Sequence, residues 1–292
     1  MTTVAFIGLG AMGSRMAANL QQAGFKLRLY NRDRAKTRAL AENGAEVAGS
    51  PAAAVAGAQF AVSIVSDDNA TREVMLGAQG ALAGAAKGLI VIDSSTNTPA
   101  IAREIARAAA ARGCVYLDAP VSGSLKQAQG HELVFMVGGP QDAFDKAQPL
   151  FAAMGRMAKH AGDSGSGATV KLINNMLSGT MTAAVAEATQ IAEAAGVSRT
   201  AVLEILGEGA AGSRLLKSKM PMMFQRDFQP QFQLALMEKD LRYFLGMAQE
   251  LDRPTPIAAL VRSQFHAARR ASLGGLDACA VFLQSAGEKP PA

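Results

Sequence analysis

The chain has 292 residues, 49% hydrophobic and 18% charged, a composition that builds a globular core and excludes a disordered polymer. Two distant cysteines, Cys114 and Cys279, and three scattered histidines, His131, His160 and His266, exclude a disulfide scaffold, a zinc ribbon and a histidine-based metal site. The net charge is +5, with no long basic run and no tryptophan, which points to small anionic ligands and away from nucleic acid.

In chain order the first half alternates. Thr3 to Leu9 reads as a strand ending in glycines, Ser14 to Ala23 as a helix, Lys26 to Tyr30 as a strand and Arg34 to Asn43 as a helix. Strands follow at Phe60 to Val65, Leu89 to Asp93, Val115 to Asp118 and Leu133 to Val137. Helices are expected after Asn69 and from Pro99 to Arg112. This alternation predicts an α/β fold, a doubly wound, mostly parallel sheet of Rossmann type. Beyond the Gly/Ser-rich joint Gly162 to Gly167 the strand signals stop. A long interdomain helix is predicted over Ala168 to Ala195, ended by Gly196. Further helices are expected near 199–208, 233–251, 255–271 and 276–285, with a frayed tail over 287–292. The expected division is a dinucleotide-binding domain over 1–163 and an all-helical domain over 164–292. No stretch has the roughly 18 uncharged apolar residues of a membrane span, and the N-terminus lacks a signal pattern, so a cytoplasmic protein with no membrane partner is expected.

Gly8-Leu9-Gly10-Ala11-Met12-Gly13 spells GxGxxG between the first strand and the first helix. The first glycine permits a tight turn, the second close approach to a pyrophosphate, and the third close packing of helix on strand. NAD sites place an acid about 20 residues on, at the end of the second strand. Here that place holds Asn31 and Arg32. An amide can bond a sugar hydroxyl and a guanidinium can pair with a 2′-phosphate, so NADP is expected, with NAD possible.

Four blocks together resemble the β-hydroxyacid dehydrogenase family. They are the glycine loop with Met16-Ala17-Ala18-Asn19-Leu20; Asp118-Ala119-Pro120-Val121-Ser122-Gly123; Lys171-Leu172-Ile173-Asn174-Asn175; and Lys239-Asp240-Leu241. The resemblance spans nearly the whole chain. It implies an oxidoreductase that interconverts a short hydroxyacid with its aldehyde or keto acid, on a 3-hydroxyisobutyrate-, tartronate semialdehyde- or glyoxylate-like substrate. It also implies site residues. Val65, Ser66 and Thr96 would contact the cofactor, Ser122 and Gly123 the substrate carboxylate, and Lys239 would close over the site near the cofactor. Lys171 would be the catalytic lysine and Asn175 its neighbour. The chain departs from many relatives at Ser66, Ser124 and His131, where proline, glycine and glycine are common.

Elementary chemistry agrees with these roles. Hydride transfer to a carbonyl requires a proton for the oxygen, and a partly buried lysine suits that task. Lys171 and Asn175 are four residues apart, on one helical face. Relatives that reduce imines replace the lysine, and non-catalytic NADP-binding interaction modules carry appended segments or can lose it. The lysine retained at 171 favours the hydroxyacid chemistry over both. The apolar surround of the long helix predicts a homodimer or homotetramer.

Overall fold

The computed structural model describes residues 2–289; of the tail expected to fray over 287–292, Gly287 caps the last helix and Glu288 pairs with Arg226 at 2.7 Å, so these are held in place, while 290–292 lie outside the described residues. The chain divides into two compact units, Met1–Lys171 and Leu172–Ala292. The division lies inside one helix, a little beyond the glycine-rich joint where the sequence suggests it.

Among the described residues the first unit is built on nine strands: β1 (Thr3–Ile7), β2 (Lys26–Tyr30), β3 (Glu46–Val47), β4 (Phe60–Ser63), β5 (Ile90–Asp93), β6 (Val115–Asp118), β7 (Val121–Ser122), β8 (Leu133–Gly138) and β9 (Gly155–Gly162). Their order is β3-β2-β1-β4-β5-β6-β8-β7, with β9 on β8. The run from β3 to β6 is parallel, and β8 turns antiparallel to β6. The chain thus reverses direction across the sheet between β1 and β4, the place where open α/β sheets bind ligands at their carboxyl ends. Alternate residues of β1 enter opposite cores. Val4 and Phe6 pack in one cluster, Ala5 and Ile7 in the other. A strand covered on both faces must read as a continuous apolar run, as β1 does.

The helices of this unit are α1 (Ala11–Gln22), α2 (Arg38–Glu42), α3 (Pro51–Val55), α4 (Asp68–Leu76), α5 (Ala81–Gly84), α6 (Pro99–Ala110), α7 (Leu125–Gln129) and α8 (Gln141–Met154). The sequence pattern does not announce α8, because Pro149 lies inside it. Proline removes one helical hydrogen bond and argues against a helix interior. The short strands β3 and β7 and the edge strand β9, whose outer residues are exposed, also lack an apolar signature. The helix α9 (Ser166–Ala194) is 29 residues long, close to its expected span.

The second unit continues α9 and adds α10 (Arg199–Glu208), α11 (Arg214–Gln225), α12 (Leu234–Glu250), α13 (Pro256–Ala268) and α14 (Val281–Ala286). An irregular turn at Arg269–Leu273 ends the helix that the sequence carries on to 271. The helix α11 is unforeseen for the same reason as α8, since Pro221 lies inside it. Its methionines Met220, Met222 and Met223 are buried in the core of this unit with Phe224, Phe265 and Phe282. Among the described residues no helix is long and apolar enough to cross a membrane.

Candidate active site

The turn between β1 and α1 consists of Gly8, Leu9 and Gly10. Gly8 has φ +96°, and a Cβ there would lie 2.2 Å from the Ile64 carbonyl oxygen. A Cβ on Gly13 would lie 2.0 Å from the Gly8 oxygen. Both glycines are therefore imposed by the protein's own close packing. Gly10 differs. Its φ is an ordinary −69°, and a Cβ would meet nothing within 4 Å.

The helices α3, α4 and α6 start on side-chain caps from Ser50, Asp67 and Thr98. The helix α1 starts on Gly10 with no side-chain cap. Its first N–H groups and positive dipole end could receive an anionic ligand, and Gly10 keeps the approach clear. These features fit a dinucleotide pyrophosphate, which Gly8, Leu9, Gly10, Ala11, Met12 and Gly13 would hold.

Asn31 follows β2 and shapes this loop. Its Oδ1 accepts the Leu9 N–H at 2.8 Å, and its Nδ2 donates to the Asp33 carbonyl at 2.8 Å. Beyond it Arg32, Arg34 and Lys36 are exposed. The Asp33 carboxylate accepts the Ala35 N–H at 3.1 Å and so caps its own turn.

A buried carboxylate with no role assigned from the sequence organises the neighbouring turns. Asp93, at the end of β5, is 1% exposed. Its Oδ1 accepts from the Ser63 hydroxyl at 2.8 Å and the Ser95 hydroxyl at 2.6 Å. Its Oδ2 accepts from Asn97 Nδ2 at 2.8 Å and the Tyr116 hydroxyl at 2.7 Å. Ser95 Oγ in turn accepts the Val65 N–H at 2.9 Å. Asp93 therefore ties the Val65–Ser66 turn to the segment that carries Thr96. Burial and the Asp93 charge hold the Tyr116 hydroxyl well above the ordinary tyrosine range. Ser66 is exposed, with its hydroxyl on Asp67 at 2.8 Å.

Ser122 lies on β7 opposite Val134 of β8. Gly123 follows at φ +141°, where a Cβ would press on Leu133 Cδ2 at 2.8 Å. Ser124 closes the start of α7 with a capping box, its N–H donating to Gln127 Oε1 at 2.9 Å. The half-buried Ser122 and exposed Gly123 are thus the part of this segment open to a ligand. His131 adopts φ +58°, a conformation suited to the glycine of relatives, and its Nδ1 donates to the Ala153 carbonyl at 2.7 Å.

On α9, Lys171 is 8% exposed and Asn175, one turn on, is 4% exposed. A solvated lysine on an amphipathic helix would not be buried so deeply. Within the second unit, Asn175 Nδ2 donates to Asp240 Oδ2 at 2.6 Å, and Lys239 pairs with Asp240 Oδ1 at 3.1 Å. The Lys239 ammonium also lies 4.8 Å from the Tyr243 ring centre. Asp240 is 1% exposed, so Lys239–Asp240 is an interior pair that fixes the Asn175 amide. The motif contained Asp240, but nothing in its spacing told a buried acid from a surface one.

The family model for the NAD binding domain of 6-phosphogluconate dehydrogenase matches residues 3–162. That for the NAD-binding domain of NADP-dependent 3-hydroxyisobutyrate dehydrogenase matches 165–283. A 3-hydroxyisobutyrate dehydrogenase from Pseudomonas aeruginosa is 38% identical over 95% of this chain and 96% of its own. The chain belongs to the β-hydroxyacid dehydrogenase family. Glyoxylate/succinic semialdehyde reductase 1 of Arabidopsis thaliana is 34% identical over 96% of each chain. The structure of a Mycobacterium tuberculosis 3-hydroxyisobutyrate dehydrogenase with L-serine superposes with a TM-score of 0.88 at 31% identity, covering 97% of this chain and 98% of that one. This protein is accordingly an NAD(P)-dependent oxidoreductase of hydroxyacid or semialdehyde type.

Proposed function

We propose that the protein is an NADP(H)-preferring reductase that interconverts a short aldehyde or keto acid with its hydroxyacid, Lys171 serving as general acid and base. The observation that carries the reading is the buried Lys171 with buried Asn175 one helical turn away. The similar proteins support the substrate class. They are named for 3-hydroxyisobutyrate, glyoxylate, succinic semialdehyde and 3-sulfolactaldehyde, each a small molecule with an anionic group and an aldehyde or hydroxyl.

The bound cofactor supplies or takes up the hydride. The protein's own residues supply position and protons. Ser122 and the Gly123 backbone hold the substrate's anionic end. Lys171 donates a proton to the carbonyl oxygen as the alcohol forms, and takes it back in the reverse direction. Asn175, its amide fixed by Asp240, orients the same oxygen. Lys239, held by Asp240 and Tyr243, would supply a positive charge to the anionic ligands.

The NADP preference rests on Arg32. Asn31 stands where an NAD site carries an acid, and its amide is engaged with the loop. That leaves the exposed Arg32 to meet a 2′-phosphate. Turnover on a panel of glyoxylate, succinic semialdehyde, tartronate semialdehyde and 3-hydroxyisobutyrate, with NADPH, NADP, NADH and NAD, tests the proposal. Turnover of an aldehyde acid with higher kcat/KM for NADPH supports it; equal or better kcat/KM with NADH sinks the preference.

A further inference from the structure

Asp118 ends β6, is 3% exposed, and has no part in the scheme above. Its Oδ1 accepts the Gly165 N–H at 2.8 Å and its Oδ2 accepts the Ala168 N–H at 2.8 Å. Both donors belong to the start of α9, and Lys171 lies one turn beyond Ala168. The backbone closes on the same spot. A Cβ on Gly167 would lie 2.3 Å from the Met136 oxygen and 2.4 Å from the Asp118 oxygen. A Cβ on Gly138 would lie 2.6 Å from Asp118 Oδ1. Two glycines thus let the helix start approach the ends of β6 and β8, and one carboxylate locks it there.

We propose that Asp118 is a positioning residue for the reaction: its carboxylate anchors the first turn of α9 to the sheet and so sets where Lys171 presents its ammonium. The inference rests on the reading of Lys171 as the acid/base group. Two N–H donors aimed at two oxygens require a carboxylate, because an amide offers only one acceptor. A helix N-terminus favours that negative charge. A displacement of about 1 Å in a reacting group can lower the rate about 100-fold, so a loosened first turn is felt at Lys171.

The anchor is sensitive to acid. Burial, opposed by its two backbone hydrogen bonds and reinforced by Asp93, raises the Asp118 carboxyl to about 6. Asp93 is its register neighbour on β5. The other charged or titratable groups on the elements packed around it are Tyr116 on β6, Arg103, Glu104 and Arg107 on α6, Asp142, Asp145 and Lys146 on α8, Arg156, Lys159 and His160 on β9, Asp163 before α9 and Lys171 itself. His160 Nε2 contacts the Gly139 carbonyl at 2.6 Å. The Arg103 guanidinium borders Gly165, 3.0 Å from where its Cβ would stand.

The test is the pH profile of kcat in the reducing direction, at saturating aldehyde acid and NADPH. In that direction Lys171 acts protonated, so lowering the pH cannot remove activity through it. The unmodified protein should lose kcat below about pH 6. Asp118→Asn should have a kcat at least about tenfold lower near neutral pH and no acid limb, with NADPH affinity within about twofold. A purely structural role would lower stability and leave the shape of the profile unchanged. Full kcat in Asp118→Asn, or the same acid limb surviving in it, overturns the inference, since His160 and Asp163 are still present. If Asp118→Asn does not fold, the unmodified profile decides alone, and a flat line down to about pH 5 overturns the inference. Lys171→Ala is measured alongside. Activity surviving there defeats the acid/base reading itself, whereas an inactive Lys171→Ala beside a fully active Asp118→Asn defeats only the anchor.

Discussion

The glycine loop offers a perturbation whose two halves should behave oppositely. Gly10→Ala adds a methyl group where nothing lies within 4 Å, at an ordinary φ of −69°. The free protein should tolerate it, because the small gain from restricting the unfolded chain is offset by alanine's poorer fit at the N-cap of α1. The same methyl projects over the uncapped start of α1, where the pyrophosphate must approach. Loss of that approach should weaken NADPH at least about tenfold, equivalent to about 1.4 kcal/mol. Gly13→Ala adds a methyl 2.0 Å from the Gly8 oxygen and 2.8 Å from Ile64 Cγ2. Its cost falls on the fold, about 1–3 kcal/mol as overpacking. Thermal unfolding and NADPH fluorescence titration of both variants provide the assay. Gly10→Ala should keep its Tm and lose the cofactor, and Gly13→Ala should lose Tm by several degrees. A Gly10→Ala protein that binds NADPH like the unmodified one would refute the placement of the pyrophosphate.

Three further outcomes are expected. Arg32→Asp should weaken NADPH far more than NADH in parallel titrations, and equal losses would remove Arg32 from 2′-phosphate recognition. The exposed side chains of Val170, Ile173, Leu177 and Met181 recur along one stripe of α9, so light scattering at micromolar concentration should show at least a dimer, and an active monomer would contradict this. Asp118 also sets a stability trend. The folded group holds its proton up to about 6, against an ordinary 3.8, so its contribution is present below 3.8 and lost as pH rises through 6. That difference is on the order of 3 kcal/mol, and Asp118→Asn should gain on the unmodified protein by such an amount in urea midpoints between about pH 4 and 7. A gap that stays constant over that range would show that Asp118 titrates normally.

The parallel half of the sheet was legible because β1, β4, β5 and β6 are buried at nearly every residue and read as short apolar runs, while β2 shows its two leucines in alternation with Lys26 and Arg28. The long helix was legible from its unbroken small and apolar residues. What escaped notice has physical reasons. Pro149 and Pro221 sit inside α8 and α11, and β9 alternates weakly at an edge. The residues proposed to meet ligands carry motif signatures, as Gly10 and Lys171 do. The carboxylates that act through other groups are not given that role by a motif, although Asp118 and Asp240 lie inside motif blocks. Asp93, Asp118 and Asp240 look like any acid after a strand or on a helix, and only burial and hydrogen bonding distinguish them.

The account stands on Lys171 as the proton donor, and one measurement addresses it directly: kcat of Lys171→Ala on the best aldehyde acid, beside NADPH affinity by fluorescence titration. General acid/base assistance is worth about 100- to 10,000-fold. The account predicts a kcat at least about 100-fold lower with NADPH affinity little changed, no rescue by Lys171→Arg because arginine holds its proton too tightly, and a milder loss in Asn175→Ala. A Lys171→Ala protein retaining more than about a tenth of the activity would contradict it, and another group would then carry the proton.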